Sequence, residues 1–179
     1  MALKKIKSKY KIIFADLDDT LISAHIPNTF PKGIWDMVFK FDIWDIIKEL
    51  NPEYLFIVTN QGGIPKYVNQ DHFEGKCQYI ADAIQEYTGI KTVEWTYCHS
   101  TDKDDPDRKP NPGMAITLTH CEHLYIEHGD FTKEDCLMIG DADGTEGTFS
   151  DSDKKFAENV FGGIDFISPK ELLELKDGE

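Results

Sequence analysis

The chain has 179 residues, 40% of them hydrophobic and 12% aromatic, which excludes an intrinsically disordered chain and is enough to bury a core without disulfide or metal staples. Its 33 acidic residues against 19 basic ones leave a net charge of -14, which excludes a broad electropositive face for nucleic acid but not short-range contact with one phosphate. No apolar run approaches the roughly 20 residues of a membrane span, and the basic start "MALKKIKSKYK" is not followed by the apolar segment of a signal peptide, so a cytoplasmic protein is expected, or a nuclear one in a eukaryote.

In chain order, Lys4, Lys5, Lys7, Lys9 and Lys11 lead into the first apolar run, "KIIF", which reads as a buried strand. Residues 21–41 hold two prolines and a glycine and break the pattern, which predicts an irregular excursion or a small hairpin, a flap placed to cover whatever binds beside it. A helix is predicted from Asp42 as N-cap, with Ile43, Ile46, Ile47 and Leu50 turned inward. The strand "YLFIVT" follows, then a helix over 71–88 whose apolar face is Phe73, Cys77, Ile80, Ile84 and Tyr87. After the strand "VEWTYC", Asn111-Pro112-Gly113 opens a helix with Met114, Leu118, Cys121 and Tyr125 on one side; after the strand "CLMI", "SPKELLEL" opens the last helix at Ser168. The alternation predicts an α/β, Rossmann-like parallel sheet with helices on both faces, one domain over 1–179 with a small flap at about 21–41. Cys77, Cys98, Cys121 and Cys136 form no paired motif and read as reduced, mostly buried side chains.

Ligands of an open parallel sheet sit beyond the carboxyl ends of its strands, and these ends carry the polar chemistry. The first run ends in Asp16-Leu17-Asp18-Asp19-Thr20, the second in Thr59-Asn60-Gln61-Gly62-Gly63, and the fourth in Asp141-Ala142-Asp143. The third leads to Arg108-Lys109-Pro110-Asn111-Pro112-Gly113. Together they offer carboxylates for a hard cation, a hydroxyl and amides for phosphoryl oxygens, and a lysine to offset charge. "DADGTE" does not fit a calcium loop, because Thr145 and Glu146 stand where that pattern wants Asp or Asn and then Gly.

In that order, "DLDDT", "VTNQGG", "RKPNPG" and "IGDADG" resemble the four motifs of the haloacid dehalogenase superfamily of phosphotransferases. The resemblance implies that Asp16 is the nucleophile that takes the phosphoryl group, and that Asp18 is the general acid and base. It implies Mg²⁺ held by the carboxylates of Asp16 and Asp141 and the backbone carbonyl of Asp18, phosphate bound by Thr59 and Asn60, and charge neutralised by Lys109. Asp19 stands where the pattern commonly has glycine. The second acid of the last motif is Asp143, Glu146, Asp151 or Asp153.

Outside the motifs, "NTFPKGIWDM" and the stretch 149–173, "FSDSDKKFAENVFGGIDFISPKELL", are similar to segments of the phosphatase domain of polynucleotide kinase phosphatases. That implies removal of a 3′-phosphate from a DNA end. No G-x-x-x-x-G-K-[ST] occurs, so the expected partner is a separate kinase or ligase. The alternative is a small-molecule phosphatase of the same superfamily, acting on histidinol phosphate or a sugar bisphosphate. The chain's acidity favours that alternative, while the Cys-x-His…Cys-x-Cys zinc loop of many such enzymes has no counterpart in residues 98–107. A non-catalytic binding protein on this fold is disfavoured by the presence of Asp16, Asp18, Lys109 and Asp141 together. Phe30 and Trp35 read either as base-stacking platforms or as core.

Overall fold

Side chains of a strand alternate between two faces, so a strand whose every residue is apolar must be covered on both. The computed structural model describes residues 6–27, 29–120, 130–148 and 150–177. In chain order its elements are β1 (Ile12–Ala15), β2 (Ile22–Ala24), β3 (Met37–Phe39), α1 (Phe41–Leu50), β4 (Tyr54–Asn60), α2 (Gln70–Thr88), β5 (Thr92–Cys98), α3 (Gly113–Thr119), β6 (Cys136–Ile139), α4 (Ser152–Asn159), β7 (Asp165–Ile167) and α5 (Pro169–Asp177). Five strands form a parallel sheet in the order β5-β4-β1-β6-β7. Ile13, Ala15, Leu55, Ile57, Leu137 and Ile139 pack with α1, α2 and α5, whereas Ile12, Phe14, Phe56, Val58, Cys136 and Met138 pack with α3 and α4. Burying a side chain the size of Phe14 contributes about 2–3 kcal/mol, and all four residues of β1 are fully enclosed.

From β1 the chain builds outward through β4 to β5, then returns to the other side of β1 to lay down β6 and β7. The order therefore reverses between β1 and β6, where an open α/β sheet leaves a crevice at its carboxyl end.

The excursion over 21–41 is a hairpin: β2 and β3 pair antiparallel, Ile22 opposite Phe39 and Ala24 opposite Met37. Its root is fixed to the body. Trp44 Nε1 donates to Leu21 O at 3.0 Å and the Lys40 N–H donates to the same oxygen at 3.1 Å. The Phe39 ring packs 4.6 Å from Trp44 and 6.2 Å from Tyr79, centroid to centroid.

The long helix is capped by Asn69, which accepts from the His72 N–H at 3.0 Å, and stops at Gly89, whose φ of 77° is the left-handed exit that glycine adopts without strain. Several details depart from expectation. Asp42 is not the N-cap of α1. The cap is Lys40, two residues earlier, and Asp42 sits in the first turn, where a carboxylate still favours the exposed amides. Tyr87 does not enter the core; it is 37% exposed and its hydroxyl donates to Asp45 Oδ1 at 2.7 Å. β7 and α4 have no counterpart among the predicted elements. A three-residue edge strand is too short to show alternation, and the inward face of α4 is Asp153, Phe156 and Ala157, with a carboxylate where an apolar residue is sought. Cys77, Cys98 and Cys136 are free and buried as expected; Cys121 and Tyr125 lie outside the described residues.

Candidate active site

The first motif is shaped by one buried leucine. Leu17 turns into the core, so Asp16 and Asp18 on either side of it turn to the crevice. The Asp16 N–H donates to Ile139 O at 2.9 Å, which sets its carboxyl at the junction of β1 and β6. The chain then folds sharply, with the amides of Leu21 and Ile22 both donating to Leu17 O at 2.9 and 3.1 Å. The turn passes through Asp19 at φ 57°. This is the left-handed region, open to glycine and tolerated by aspartate, and it accounts physically for the glycine expected at that position. Thr20 is fully buried and its hydroxyl accepts from the Asp141 N–H at 3.2 Å, so it ties the first motif to the last.

Lys109 arrives from the loop between β5 and α3 and is only 3% exposed. Its ammonium spends all three hydrogens: on Asp16 Oδ1 at 2.5 Å, on Asp153 Oδ1 at 2.7 Å and on Val58 O at 2.8 Å. Its backbone is held by Asn60, whose side-chain oxygen accepts from the Lys109 N–H and whose amide nitrogen donates to Lys109 O, both at 2.9 Å. The Asn60 amide is thus committed to placing the lysine. Thr59 is buried, and its hydroxyl accepts from Gln61 Nε2 at 3.0 Å.

Among the four acids left open for the last motif, Asp153 at the start of α4 is the one brought into the site. It is 1% exposed, with Oδ1 on Lys109 and Oδ2 accepting from the Ala142 N–H at 3.1 Å. Its approach depends on Gly140, where an added Cβ would stand 2.5 Å from Asp153 Oδ2 and 2.6 Å from its Cβ. A signal for it exists in the sequence: Asp153 is the aspartate of the F-S-x-x-D stretch, whose Phe149 lies outside the described residues. Asp16, Asp141 and Asp153 each offer a carboxylate oxygen, and these lie within 4.8 Å of one another. Three hard oxygen donors so close fit a small hard divalent cation such as Mg²⁺. The Asp18 carboxyl is turned elsewhere, its Oδ2 accepting from Gln61 Nε2 at 2.8 Å.

Burial raises the Asp16 carboxyl well above its ordinary range; Lys109 opposes this and the Asp153 charge adds to it. Asp141 is pushed up to about 6, first by burial and then by the charges of Asp153 and Asp19. Burial disfavours the Lys109 ammonium, but the carboxylates of Asp153 and Asp16 outweigh it and hold the group above its ordinary value. The cluster has one cation for three carboxylates and gains from a second.

Beside Asp19 a cleft of about 340 Å³ opens within the flap, lined by Ser23, Ala24, Ile26, Pro27 and Thr29. Phe30 is 65% exposed and Trp35 74%, which overturns the core reading of both.

Residues 11–173 match the family described as polynucleotide kinase 3 phosphatase. The chain is 31% identical over 175 residues to the bifunctional polynucleotide phosphatase/kinase of Schizosaccharomyces pombe, covering 94% of this chain and 39% of the relative. It is 31% identical over 179 residues to an uncharacterized 20.8 kDa protein of Autographa californica nuclear polyhedrosis virus, covering 92% of this chain and 86% of the relative. A putative bifunctional polynucleotide phosphatase/kinase of Acanthamoeba polyphaga mimivirus is 26% identical over 195 residues, covering 98% of this chain and 44% of the relative. The chain thus spans less than half the length of the two bifunctional relatives. Among solved structures, a putative haloacid dehalogenase-like phosphatase from Mesorhizobium loti superposes with a TM-score of 0.63 at 18% identity, over 96% of this chain and 86% of that one. The D,D-heptose 1,7-bisphosphate phosphatase of B. bronchiseptica, solved with magnesium and phosphate, gives 0.61 at 16% identity, over 94% and 97%. No helix among the described residues is long and apolar enough to cross a membrane. With that family match running from the first strand into the last helix, the chain belongs to the polynucleotide kinase 3 phosphatase family, and it shares its fold with both solved structures.

Proposed function

We propose that the chain is a Mg²⁺-dependent phosphomonoesterase that removes the 3′-phosphate from a DNA end through an aspartyl-phosphate on Asp16. The observation that carries the reading is the buried lysine between Asp16 and Asp153, with Asp141 alongside. Lys109 holds Asp16 Oδ1, so Oδ2 is the oxygen that attacks phosphorus. As that bond forms, the bond to the leaving oxygen breaks and Asp18 supplies its proton. Asp18 then takes a proton from the water that attacks phosphorus and frees the Asp16 carboxylate. Thr59 binds a phosphoryl oxygen, Lys109 offsets the negative charge of the site through its hold on Asp16, and Asn60 acts by fixing Lys109. Asp16, Asp141 and the Asp18 carbonyl hold Mg²⁺, which when bound withdraws negative charge from the transferring phosphoryl group. Asp153 supports that set by anchoring Lys109.

The exposed rings of Phe30 and Trp35 on the flap suit the bases of a strand end, which needs no broad basic face. The product is a 3′-hydroxyl end, which a separate ligase consumes, with a separate kinase preparing the opposing 5′ end. The proposed setting is the cytoplasm, or the nucleus of a eukaryotic host. The net charge of -14 favours a second reading, hydrolysis of a small phosphate ester. The test offers purified protein and Mg²⁺ a 3′-phosphorylated oligonucleotide beside histidinol phosphate and sugar phosphates and measures released phosphate. Release from the oligonucleotide supports the DNA reading; an inert oligonucleotide beside a hydrolysed small ester overturns it.

A further inference from the structure

The second motif contributes a residue to which no role has been given. Gln61 lies one residue past β4, and its backbone is held at both ends: its N–H donates to Cys98 O at 2.7 Å and its carbonyl accepts from the Ile64 N–H at 3.1 Å. From this fixed base the side-chain nitrogen donates to Asp18 Oδ2 at 2.8 Å and to Thr59 Oγ1 at 3.0 Å. An amide nitrogen has two hydrogens, so both are used. The other oxygen of the same carboxyl, Asp18 Oδ1, is the one buried side-chain polar atom without a hydrogen-bond partner among the described residues. Leaving such an atom unpaired is unfavourable, so the arrangement points to a ligand atom that completes it.

We infer that Gln61 is a positioning residue for Asp18: it fixes one carboxyl oxygen as an acceptor and so presents Oδ1 to the leaving oxygen of the substrate. This rests on the reading of Asp18 as general acid. Oδ2 is occupied by the Gln61 amide, so Oδ1 is the oxygen left to meet the leaving group. When the bond from phosphorus to the leaving oxygen breaks, its electron pair goes to that oxygen and the Oδ1 proton follows. The carboxylate left behind keeps its Gln61 hydrogen bond on Oδ2.

The test separates positioning of the acid from general damage by changing the leaving atom. An alkoxide needs protonation as it departs, whereas a thiolate, a far weaker base, does not. Wild type, Gln61→Ala and Gln61→Glu are compared on an oligonucleotide ending in a 3′-phosphate and on the same oligonucleotide with bridging sulfur at the 3′ position. The quantity is kcat/KM, which reports steps through departure of the leaving group. For Gln61→Ala, the expected loss is about 10- to 100-fold on the oxygen ester and less than about threefold on the sulfur ester. Gln61→Glu, which sets a like charge against Asp18, should lose at least as much on the oxygen ester. Retained turnover of the sulfur ester certifies in the same sample that the site is folded. Equal losses on the two esters, or an undiminished rate on the oxygen ester, overturn the assignment. A wild-type protein inert to both overturns the phosphatase reading on which it rests.

Discussion

Replacing Lys109 by Met removes one ammonium from a site with three carboxylates and keeps most of the side chain's bulk. The two ion pairs, at 2.5 and 2.7 Å, are lost along with the bond to Val58 O, and Asp16, Asp141 and Asp153 remain within 4.8 Å of one another. Removing one partner of a buried pair costs about 3–5 kcal/mol. Protonation sets a ceiling: holding one ordinary carboxyl neutral at pH 7 takes about 4 kcal/mol, at about 1.4 kcal/mol for each of roughly three pH units. The expected loss in metal-free protein at pH 7 is therefore about 3–4 kcal/mol, a large part of a typical domain's stability. Because the carboxyls take up protons as pH falls, the deficit must shrink toward about pH 4.5. Urea unfolding of both proteins in EDTA at the two pH values measures it. A deficit below about 1 kcal/mol, the size of an exposed pair, or one that does not change with pH, refutes the reasoning. Added Mg²⁺ should stabilise the variant more than wild type, and turnover should fall by about 10³.

Gly140→Ala forces Asp153 away from Lys109 and Ala142, so it should cost at least about 2 kcal/mol by thermal or urea melting and abolish most activity, as overpacking against a fixed neighbour does. Asp141→Asn tests the carboxyl held at about 6: neutral when folded near pH 4 and charged at pH 7, it destabilises metal-free wild type as pH rises. The variant's melting temperature should therefore exceed wild type at pH 7 and meet it near pH 4, while Mg²⁺ stabilises wild type alone. At Asp19, with φ 57°, a change to Gly should be neutral within about 0.5 kcal/mol, whereas Val should cost about 1–2 kcal/mol on the same melts. If the grip on a strand end is stacking plus one or two phosphates, log KM for the oligonucleotide should change with log salt by a slope of only about 0.7–1.4; a slope beyond about 3 indicates a longer phosphate track.

The sequence was most legible where one residue type had one use. Continuous apolar runs located β1, β4 and β6 because a strand covered on both faces permits nothing else, whereas β5, a half-buried edge strand, was legible from its β-branched and aromatic residues around Glu94. The four motifs lay at strand ends, where the sheet delivers them. Asp153 was harder to see: it lies a loop away from Asp141, and only the rise of α4 returns it to Lys109. Asn60 shows the other limit. Its type suits a phosphate, and only the fold reveals that its amide is occupied with the Lys109 backbone. Gln61 was hidden for a similar reason, since the Asp18 carboxyl it touches is 43 residues away in sequence.

The turn that aims Asp16 and Asp18 is also the turn that launches the flap. Lys40, just past the returning strand, donates from its backbone to Leu21 O and from its ammonium to Asp19 O at 2.7 Å, so both ends of the hairpin are fastened to the turn after β1. Ile22 is buried at this root, while Ile26, Phe30, Ile34 and Trp35 are all more than half exposed farther out. The proposed function thereby places rate and recognition at opposite ends of one element. Groups that share no partner act additively, so substitutions among the exposed flap side chains should alter the choice of ester while leaving the Asp16, Asp18 and Lys109 geometry intact. Changes at Leu21, Lys40 or Trp44 act through the root and reach the chemistry itself.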